Sequence, residues 1–248
     1  MQNLFGNVRS GQTPDIVTYY HTDDKSGTVG LWNGQGKLYN VAKFKNSSID
    51  FRLDYSDAKH IMLVGNATGQ LIDKEDFDEN QKEHYFAYLH SNEGTILMSD
   101  LSRSQQVVLF KQKQTPNIES GKKCPKHILQ AIGLSLSTTQ ETVTLIKCAD
   151  YYHVAHVLDG KIRHSISFNA ELAPEVIHYK VLAFYQEHSI HPNTILSTSS
   201  VDEDVNVALL QHLPSIKSLL VPETHIAASA DGDQSVIYPH YLAFVCVL

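Results

Sequence analysis

The sequence predicts an α/β chain that is built twice, each half opening with three strands and continuing with alternating helix and strand. Two β-hairpin signals of the same design lie 126 residues apart in the 248-residue chain, at Asn33-Gly34 and at Asp159-Gly160. Asn-Gly and Asp-Gly between alternating apolar residues predict hairpins, because a type I′ turn needs positive φ at both central positions. Their separation is close to half the chain length, which indicates a duplication.

Composition limits the class of protein. Hydrophobic residues make up 42% and charged residues 19% of the chain, which is typical of a globular protein with a core. The net charge of −7 gives no general attraction to phosphate backbones, so nucleic acid is not an expected partner. No stretch approaches the roughly 20 apolar residues of a membrane span, and Met1–Ser10 lacks the pattern of a signal peptide. The isolated Cys124, Cys148 and Cys246 match no disulfide or metal spacing and favour a reducing compartment.

Local patterns predict the elements of the first half. β-branched and aromatic runs predict strands at 15–20, 60–64, 95–98 and 106–110. Residues 76–90 have helix composition, with acidic residues early in the segment. The polar segment 111–123, which contains Pro and Gly, predicts a surface loop near the middle of the chain. We therefore place the first half at residues 1–115 and the second at 116–248.

The second half repeats this plan. Strands are predicted at 142–148, 193–197 and 219–221, together with the hairpin around Asp159-Gly160. The clearest helix is predicted at 170–188, with a core stripe made by Leu172, Val176, Tyr179 and Leu182. Other helices are predicted after residue 127, with Ile128, Leu129, Ile132 and Leu136 on one face, and at 202–213, with Val205, Leu209 and Leu210 facing inward.

A three-stranded meander followed by βα units, present twice, resembles the actin-like fold, whose RNase H-like βββαβα halves are mixed sheets with helices packed on them. Within that group the chain is similar to the cytoplasmic PilM, MshI and GspL proteins of bacterial type IV pilus and type II secretion machines. The resemblance covers the layout of the whole chain. Met1–Gly6 is similar to the short Leu-Phe leader of PilM-like proteins, Leu145–Phe168 to their second-domain hairpin, and Tyr241–Leu248 to their final small-apolar helix.

The resemblance implies a nucleotide-facing turn in each half. Actin-like ATPases place an Asp-x-Gly turn between the first two strands, where the glycine amides approach the phosphates and the Asp handles magnesium and water. In the first half of this chain, the resemblance assigns Asp23 or Asp24 to the metal and Ser26 and Gly27 to phosphate, provided that a nucleotide binds.

The second turn departs from that pattern. Tyr151 and Tyr152 stand where small residues would let a phosphate approach the backbone amides. We therefore expect no cofactor, with ATP and magnesium as the candidate if one is bound. No catalytic residue and no metal ligand is predicted, because the chain has no Gly-x-Ser-x-Gly elbow and its 14 histidines show no compact ligand spacing.

The resemblance implies a non-catalytic scaffold or adaptor in the cytoplasm, peripheral to the inner membrane, that acts by protein–protein contact in a pilus-biogenesis or type II secretion assembly. The implied partners are the tail of an inner-membrane assembly protein, an assembly ATPase, and a second copy of the chain. The alternative is a divergent actin-like ATPase or small-molecule kinase with a degenerate nucleotide cleft. A stand-alone actin-like protein of another role fits the same layout. Open, glycine-lined turns facing the cleft would favour the enzyme, and tyrosine-filled turns would favour the scaffold.

Overall fold

Two large β-sheets carry the two halves of the chain, and a third sheet of three strands accompanies the first. The structure is a computed structural model, which describes residues 2–5, 13–21, 26–45, 55, 57–65, 69–87, 95–101, 105–112, 123–135, 140–148, 151–227 and 234–246.

The first sheet contains six strands in the order β1-β4-β3-β2-β5-β9. They are β1 Gln2–Phe5, β2 Ile16–His21, β3 Ser26–Trp32, β4 Leu38–Lys45, β5 Lys59–Val64 and β9 Lys123–His127. The strands β2, β3 and β4 form the predicted antiparallel meander, whereas β5 pairs with β2 and β9 with β5 in parallel.

A small antiparallel sheet lies in the chain between β5 and β9. Its strands are β6 Gly69–Asp73, β7 Thr95–Leu101 and β8 Gln106–Gln112, in the order β6-β8-β7. Between β6 and β7 the chain forms a 3₁₀ turn, Glu79–Gln81, and the helix α1, Lys82–Ala87. Asp78 caps this segment, because its Oδ1 accepts a hydrogen bond from the Asn80 amide at 2.9 Å. One acidic residue, Asp78, therefore opens this segment, and the helix begins at Lys82 and not at the predicted residue 76.

The second sheet repeats the strand order of the first. Its strands are β10 Thr142–Cys148, β11 Tyr151–Leu158, β12 Lys161–Asn169, β13 Ile195–Ser199 and β14 Ile216–Ser218. Their order is β12-β11-β10-β13-β14, with an antiparallel meander followed by two parallel strands. This order matches β4-β3-β2-β5-β9, so the duplicated mixed-sheet plan predicted from the two hairpin signals is confirmed.

The two hairpins use different turns. Asp159 and Gly160 both have positive φ, +54° and +71°, as a type I′ turn requires. In the first hairpin the residue with positive φ is Gly36, at +72°. The Asn33 Oδ1 accepts hydrogen bonds from the amides of Gln35 and Lys37 at 3.1 and 3.0 Å. This side-chain cap forms a longer loop, so a two-residue turn at Asn33-Gly34 is wrong even though the hairpin is present.

Helices cover both large sheets. The helices α2, Ile128–Ser135, and α5, Gln234–Val245, pack on the first sheet and on each other, whereas α3, Pro174–Glu187, and α4, Glu203–Leu210, pack together beside the second. The strand β9 and the helices α2 and α5 thus pack with the first half although all three follow residue 115. These three segments lie beyond the predicted boundary between 1–115 and 116–248.

A buried hydrogen-bond network fixes α5 to the first sheet. The Trp32 Nε1–H donates to Thr18 Oγ1 at 2.9 Å, and the ring of His240 lies between Thr18 and Thr28, with its Nδ1 and Nε2 each 2.9 Å from a threonine hydroxyl. Because Trp32 can only donate, Thr18 Oγ1 accepts from it, and the single Thr18 hydroxyl proton has two acceptors within reach, the Gly30 carbonyl oxygen at 3.3 Å and His240 Nδ1. A neutral imidazole, which donates through one nitrogen and accepts through the other, satisfies this network in either tautomer.

The helix α3 turns a different face to the core than its sequence predicts. Its buried residues are Ile177, Val181, Phe184 and Tyr185. Val176 and Tyr179, which were predicted in the core stripe, are instead 41% and 71% exposed, and Leu172 and Leu182 pack at the margin of the core. The helix carries apolar residues on more than one side. A second apolar stripe, displaced by one residue or about 100° around the helix, therefore competes with the predicted stripe for the core. The second stripe contains the bulkier Phe184 and Tyr185, and it is the one that is buried.

Two smaller predictions in the second half also need correction. On α4, Val205 and Leu209 are buried as predicted, but Leu210 is 53% exposed. The last strand of the sheet, β14, precedes the predicted segment 219–221, where Val221 is buried without belonging to a strand.

Candidate functional site

The two halves meet at the ends of their parallel strands. In open α/β sheets, ligands bind in the crevice outside the carboxyl ends of such strands. Here β2, β5 and β9 end near Tyr20, Gly65 and His127, and β10 ends at Cys148. Side chains from both sheets touch at this point, and one hydrophobic core continues from the first half into β10, β11 and β12. We call this region the cleft floor; it consists of Tyr20, Gly65, His127, Cys148 and His153.

Cys148 fills the space that a side chain at Gly65 would occupy. A Cβ built on Gly65 would lie 2.5 Å from Cys148 Sγ and 2.8 Å from its Cβ. The thiol is fully buried, and burial raises its pKa to about 12 despite a hydrogen bond with the Tyr20 side chain. A thiol in this state is protonated and inert, so it acts as packing and not as a nucleophile.

His153 joins the same point by hydrogen bonds. Its Nε2 lies 2.6 Å from the Gly65 carbonyl oxygen, to which it donates, and its Nδ1 lies 2.8 Å from Ser167 Oγ, from which it accepts. Burial lowers the pKa of His153 to about 4, and the bond to the Gly65 carbonyl only partly offsets this effect. A neutral ring therefore links the second sheet to the end of β5.

His127 closes the other side of the floor. Its ring stands edge-on to that of His153, with 6.1 Å between the centroids, and its Nδ1 accepts a hydrogen bond from the Leu129 amide at 3.2 Å. A Cβ built on Gly69 would lie 2.5 Å from its Cε1. At this junction, side chains occupy the space beside two glycines, Gly65 and Gly69. A phosphate-binding protein needs open backbone amides at its phosphate site.

Strand alternation explains which side chains reach the floor. Along β11, Tyr152 and Val154 face the core beneath α3 and α4, whereas Ala155 and Val157 belong to the core shared with the first half. His153 has the parity of this second set. Strand alternation is the signal in the sequence that could have identified His153 as a link between the halves.

The predicted obstruction by two tyrosines is only partly correct. Tyr151 is half-buried, with its ring centroid 6.3 Å from that of His153. Tyr152 is fully buried in the second core, where it stacks on Phe168 at 5.8 Å. Its hydroxyl donates to Asp202 Oδ2 at 3.0 Å. Tyr152 therefore does not block the cleft, and Cys148 and His153 fill the floor instead.

An ion pair lies next to the floor, at the end of β13. Lys147 Nζ donates to both carboxylate oxygens of Asp202 at 3.0 and 2.9 Å. Burial raises the pKa of Asp202, but the hydrogen bonds from Lys147 and Tyr152 outweigh it and hold the pKa below its ordinary value. This carboxylate is therefore ionised and already fully engaged with protein groups.

The residues predicted for a nucleotide are only partly within the described chain. Ser26 and Gly27 are buried at the start of β3, where Gly27 pairs with His21. Asp23 and Asp24 lie outside the described residues, so their role stays a prediction. At the floor itself, Cys148 packs against Gly65 and His153 bonds to its carbonyl oxygen, and the binding of a nucleotide stays a prediction.

One group of carboxylates in the described part of the chain has metal-like spacing. Asp73, Glu75 and Asp76 place one oxygen each within 4.8 Å of one another. All three are exposed, and the neighbouring Lys74 pairs with Asp100 at 2.8 Å. Exposed acidic groups of this kind are common without a metal, so this group does not define a site.

Comparison with solved structures identifies the fold. A Bacteroides thetaiotaomicron protein with an actin-like ATPase fold and unknown function matches with a TM-score of 0.73 and 11% identity, over 86% of this chain and 94% of that one. A chain of the PilM–PilN type IV pilus biogenesis complex matches with a TM-score of 0.61 and 9% identity, over 95% and 98%. The cytoplasmic domain of EpsL, an inner-membrane component of the Vibrio cholerae type II secretion system, matches with a TM-score of 0.50 and 8% identity, over 90% and 93%.

These likenesses establish that the chain has the actin-like fold. No protein-family model matches the sequence, and no curated protein matches it. Helices of the described segments are all too short or too polar to cross a membrane. The predicted fold is therefore confirmed, and its resemblance to PilM-like and GspL-like proteins is borne out at the level of structure.

Proposed function

We propose that this chain is a non-catalytic actin-like scaffold that acts through protein–protein contacts. The observation that carries this proposal is the packed cleft floor, where Cys148 lies against Gly65 and His153 binds the Gly65 carbonyl. The resemblance places phosphate against the turn that follows Cys148, and side chains packed beside that turn support a role without nucleotide. The proposed contacts with partners use the outer surface of the two halves.

The proposed setting is a bacterial pilus-biogenesis or type II secretion assembly, in the cytoplasm and peripheral to the inner membrane. The likeness to a chain of the PilM–PilN complex and to the EpsL cytoplasmic domain supports this setting. The proposed partners are the tail of an inner-membrane assembly protein, an assembly ATPase, and a second copy of the chain. A tail would add as an extended strand to a sheet edge, such as that of the nine-residue β12.

Affinity capture from the native host tests this proposal. The tagged chain is expected to capture an inner-membrane assembly protein. A version of that protein without its tail is not expected to be captured. Retention of the truncated partner at the same level would contradict tail capture. The absence of every pilus or secretion protein from the captured set would contradict the proposed setting.

The alternative, an ATPase or small-molecule kinase using Asp23 or Asp24 with Ser26 and Gly27, is not favoured by the packing of the floor. It makes a distinct prediction, since the enzyme must bind magnesium-ATP. A nucleotide titration therefore separates the two functions without knowledge of the partner.

A further inference from the structure

Exposed apolar side chains are concentrated on two neighbouring helices of the second half. Seven large apolar side chains are exposed among the described residues, and four of them lie on α3 and α4: Val176, Tyr179, Val207 and Leu210. Both pairs have a spacing of three residues, which places the two members on the same side of their helix. The ring of His178 in α3 lies 5.1 Å from that of His212, just after α4, so the helices are side by side. We call these four residues the α3/α4 face.

The charged side chains of α3 and α4 are almost all negative. The exposed carboxylates on the two helices are Glu175, Glu187, Glu203 and Asp204. The single lysine of these helices, Lys180, holds its Nζ 5.6 Å from the centre of the Phe168 ring. This contact directs the one lysine of the two helices toward β12 of the second sheet.

We propose that the α3/α4 face docks a basic amphipathic helix of a partner protein. The apolar stripe of such a helix would cover Tyr179, Val207 and Leu210, while its Lys and Arg residues would meet the surrounding carboxylates. Tyr179, at 71% exposure, is the expected anchor, because large aromatic residues dominate contact energies. This inference rests on the proposed function, since it names the chemistry of one partner of the scaffold.

Charge also argues against other occupants. A symmetric contact between two copies would set the same carboxylates against each other, which is unfavourable. An anionic membrane surface and a nucleic acid would be repelled for the same reason. A helical segment that combines apolar and positive residues is the occupant that satisfies both the apolar and the acidic parts of the face.

A synthetic peptide provides the probe. A labelled Leu/Lys peptide of roughly 18 residues, long enough to form a helix, is titrated with the full chain in physiological salt and followed by fluorescence anisotropy. We expect saturable binding, no binding of a Leu/Glu peptide, and clearly weaker binding of a Leu/Lys peptide of scrambled order. Equal binding of the ordered and scrambled peptides, or no binding of either, would overturn the proposal.

Matched variants locate the contact. The double variant Tyr179→Ser with Leu210→Ser is expected to weaken binding about tenfold or more, and Met98→Ser, at another exposed apolar side chain, is expected to leave it unchanged. The charge reversal Glu175→Lys with Glu203→Lys keeps the apolar residues. It is expected to lower the affinity for the peptide and to make that affinity less dependent on salt concentration. Equal affinities of the wild type and both double variants would show that the peptide binds elsewhere.

The two proposals fail in different experiments. Tight binding of magnesium-ATP would contradict the scaffold function while leaving the peptide result in place. Absence of peptide binding to the wild-type chain would contradict the α3/α4 face while leaving the packed cleft floor and the scaffold function in place.

Discussion

Trp32 and Phe244 stack face to face, with ring centroids 4.2 Å apart and planes inclined by 9°. Trp32 ends β3 in the first sheet and Phe244 lies near the end of α5, so the contact joins the start of the fold to its last helix. Both rings are essentially buried. Trp32 is the single tryptophan of the chain, which makes its fluorescence a reporter of how α5 is seated.

Replacing Phe244 by alanine is expected to lower the free energy of unfolding by about 3–5 kcal/mol and to shift Trp32 emission to the red in the folded protein. The matched control is Phe184→Ala, since Phe184 is equally buried, at 2% exposure, but lies in the other core. The control is expected to cost similar stability and to leave the emission maximum in place. An unchanged maximum in Phe244→Ala would contradict the stacking.

The orientation of α3 gives a second matched test. Val181 is fully buried and Val176 is 41% exposed on the same helix, so the same substitution has different consequences. Val181→Ala is expected to cost about 2 kcal/mol, and Val176→Ala at most about 0.5 kcal/mol. Urea unfolding measures both values. A larger loss of unfolding free energy in Val176→Ala than in Val181→Ala would favour the buried face predicted from the sequence alone.

The contact between the halves predicts a low tolerance for any side chain at residue 65. Gly65→Ala places a methyl group against Cys148 and is expected to cost about 1–3 kcal/mol by overpacking. Gly34→Ala is the control, because its Cβ would meet only the exposed Asp15 side chain, at 3.3 Å. Thermal melting compares the two variants, and equal melting temperatures would show that the floor is not closely packed.

Two buried histidines predict how stability depends on pH. Burial lowers the pKa of His153 to about 4 and that of His240 to about 3, whereas histidines of the unfolded chain titrate near pH 6.5. Below pH 6.5 the unfolded state therefore binds more protons than the folded state. Stability is complete above pH 6.5 and falls toward about pH 4, by about 1.4 kcal/mol per pH unit for each histidine.

Urea unfolding between about pH 7 and about pH 5 measures this slope. His153→Gln is expected to reduce the slope of unfolding free energy against pH by about 1.4 kcal/mol per pH unit, the contribution of one histidine. His191→Gln, at an exposed position, is expected to leave the slope unchanged. A wild-type stability that is constant over this range would contradict neutral burial of the two rings.

The hairpins show what local sequence determines. Turn residues and strand alternation predict both meanders, because Asp159-Gly160 can adopt the required positive φ and the flanking strands have two distinct faces. The buried face of α3 and the loop at Asn33 were not predicted correctly. The face of α3 depends on which of two apolar stripes packs into the core, and the loop depends on the Asn33 side chain that caps the turn.

The cleft floor depends on contacts between residues far apart in the chain. Gly65 and His153 are 88 positions apart, and no local pattern in either segment indicates that they touch. Tyr152 was predicted to keep a phosphate away from the backbone amides. Its position on β11 instead directs its side chain into the core of the second half. The side chains that fill the cleft floor are Cys148 and His153, which the sequence reasoning did not select.

Titration of the full chain with magnesium-ATP in a calorimeter tests the central claim, that the packed cleft floor excludes nucleotide. The packing of Cys148 and His153 around Gly65 predicts no saturable binding below about millimolar nucleotide, which corresponds to about −4 kcal/mol. A dissociation constant in the low-micromolar range, about −8 kcal/mol, would contradict the scaffold function and favour an actin-like ATPase or kinase.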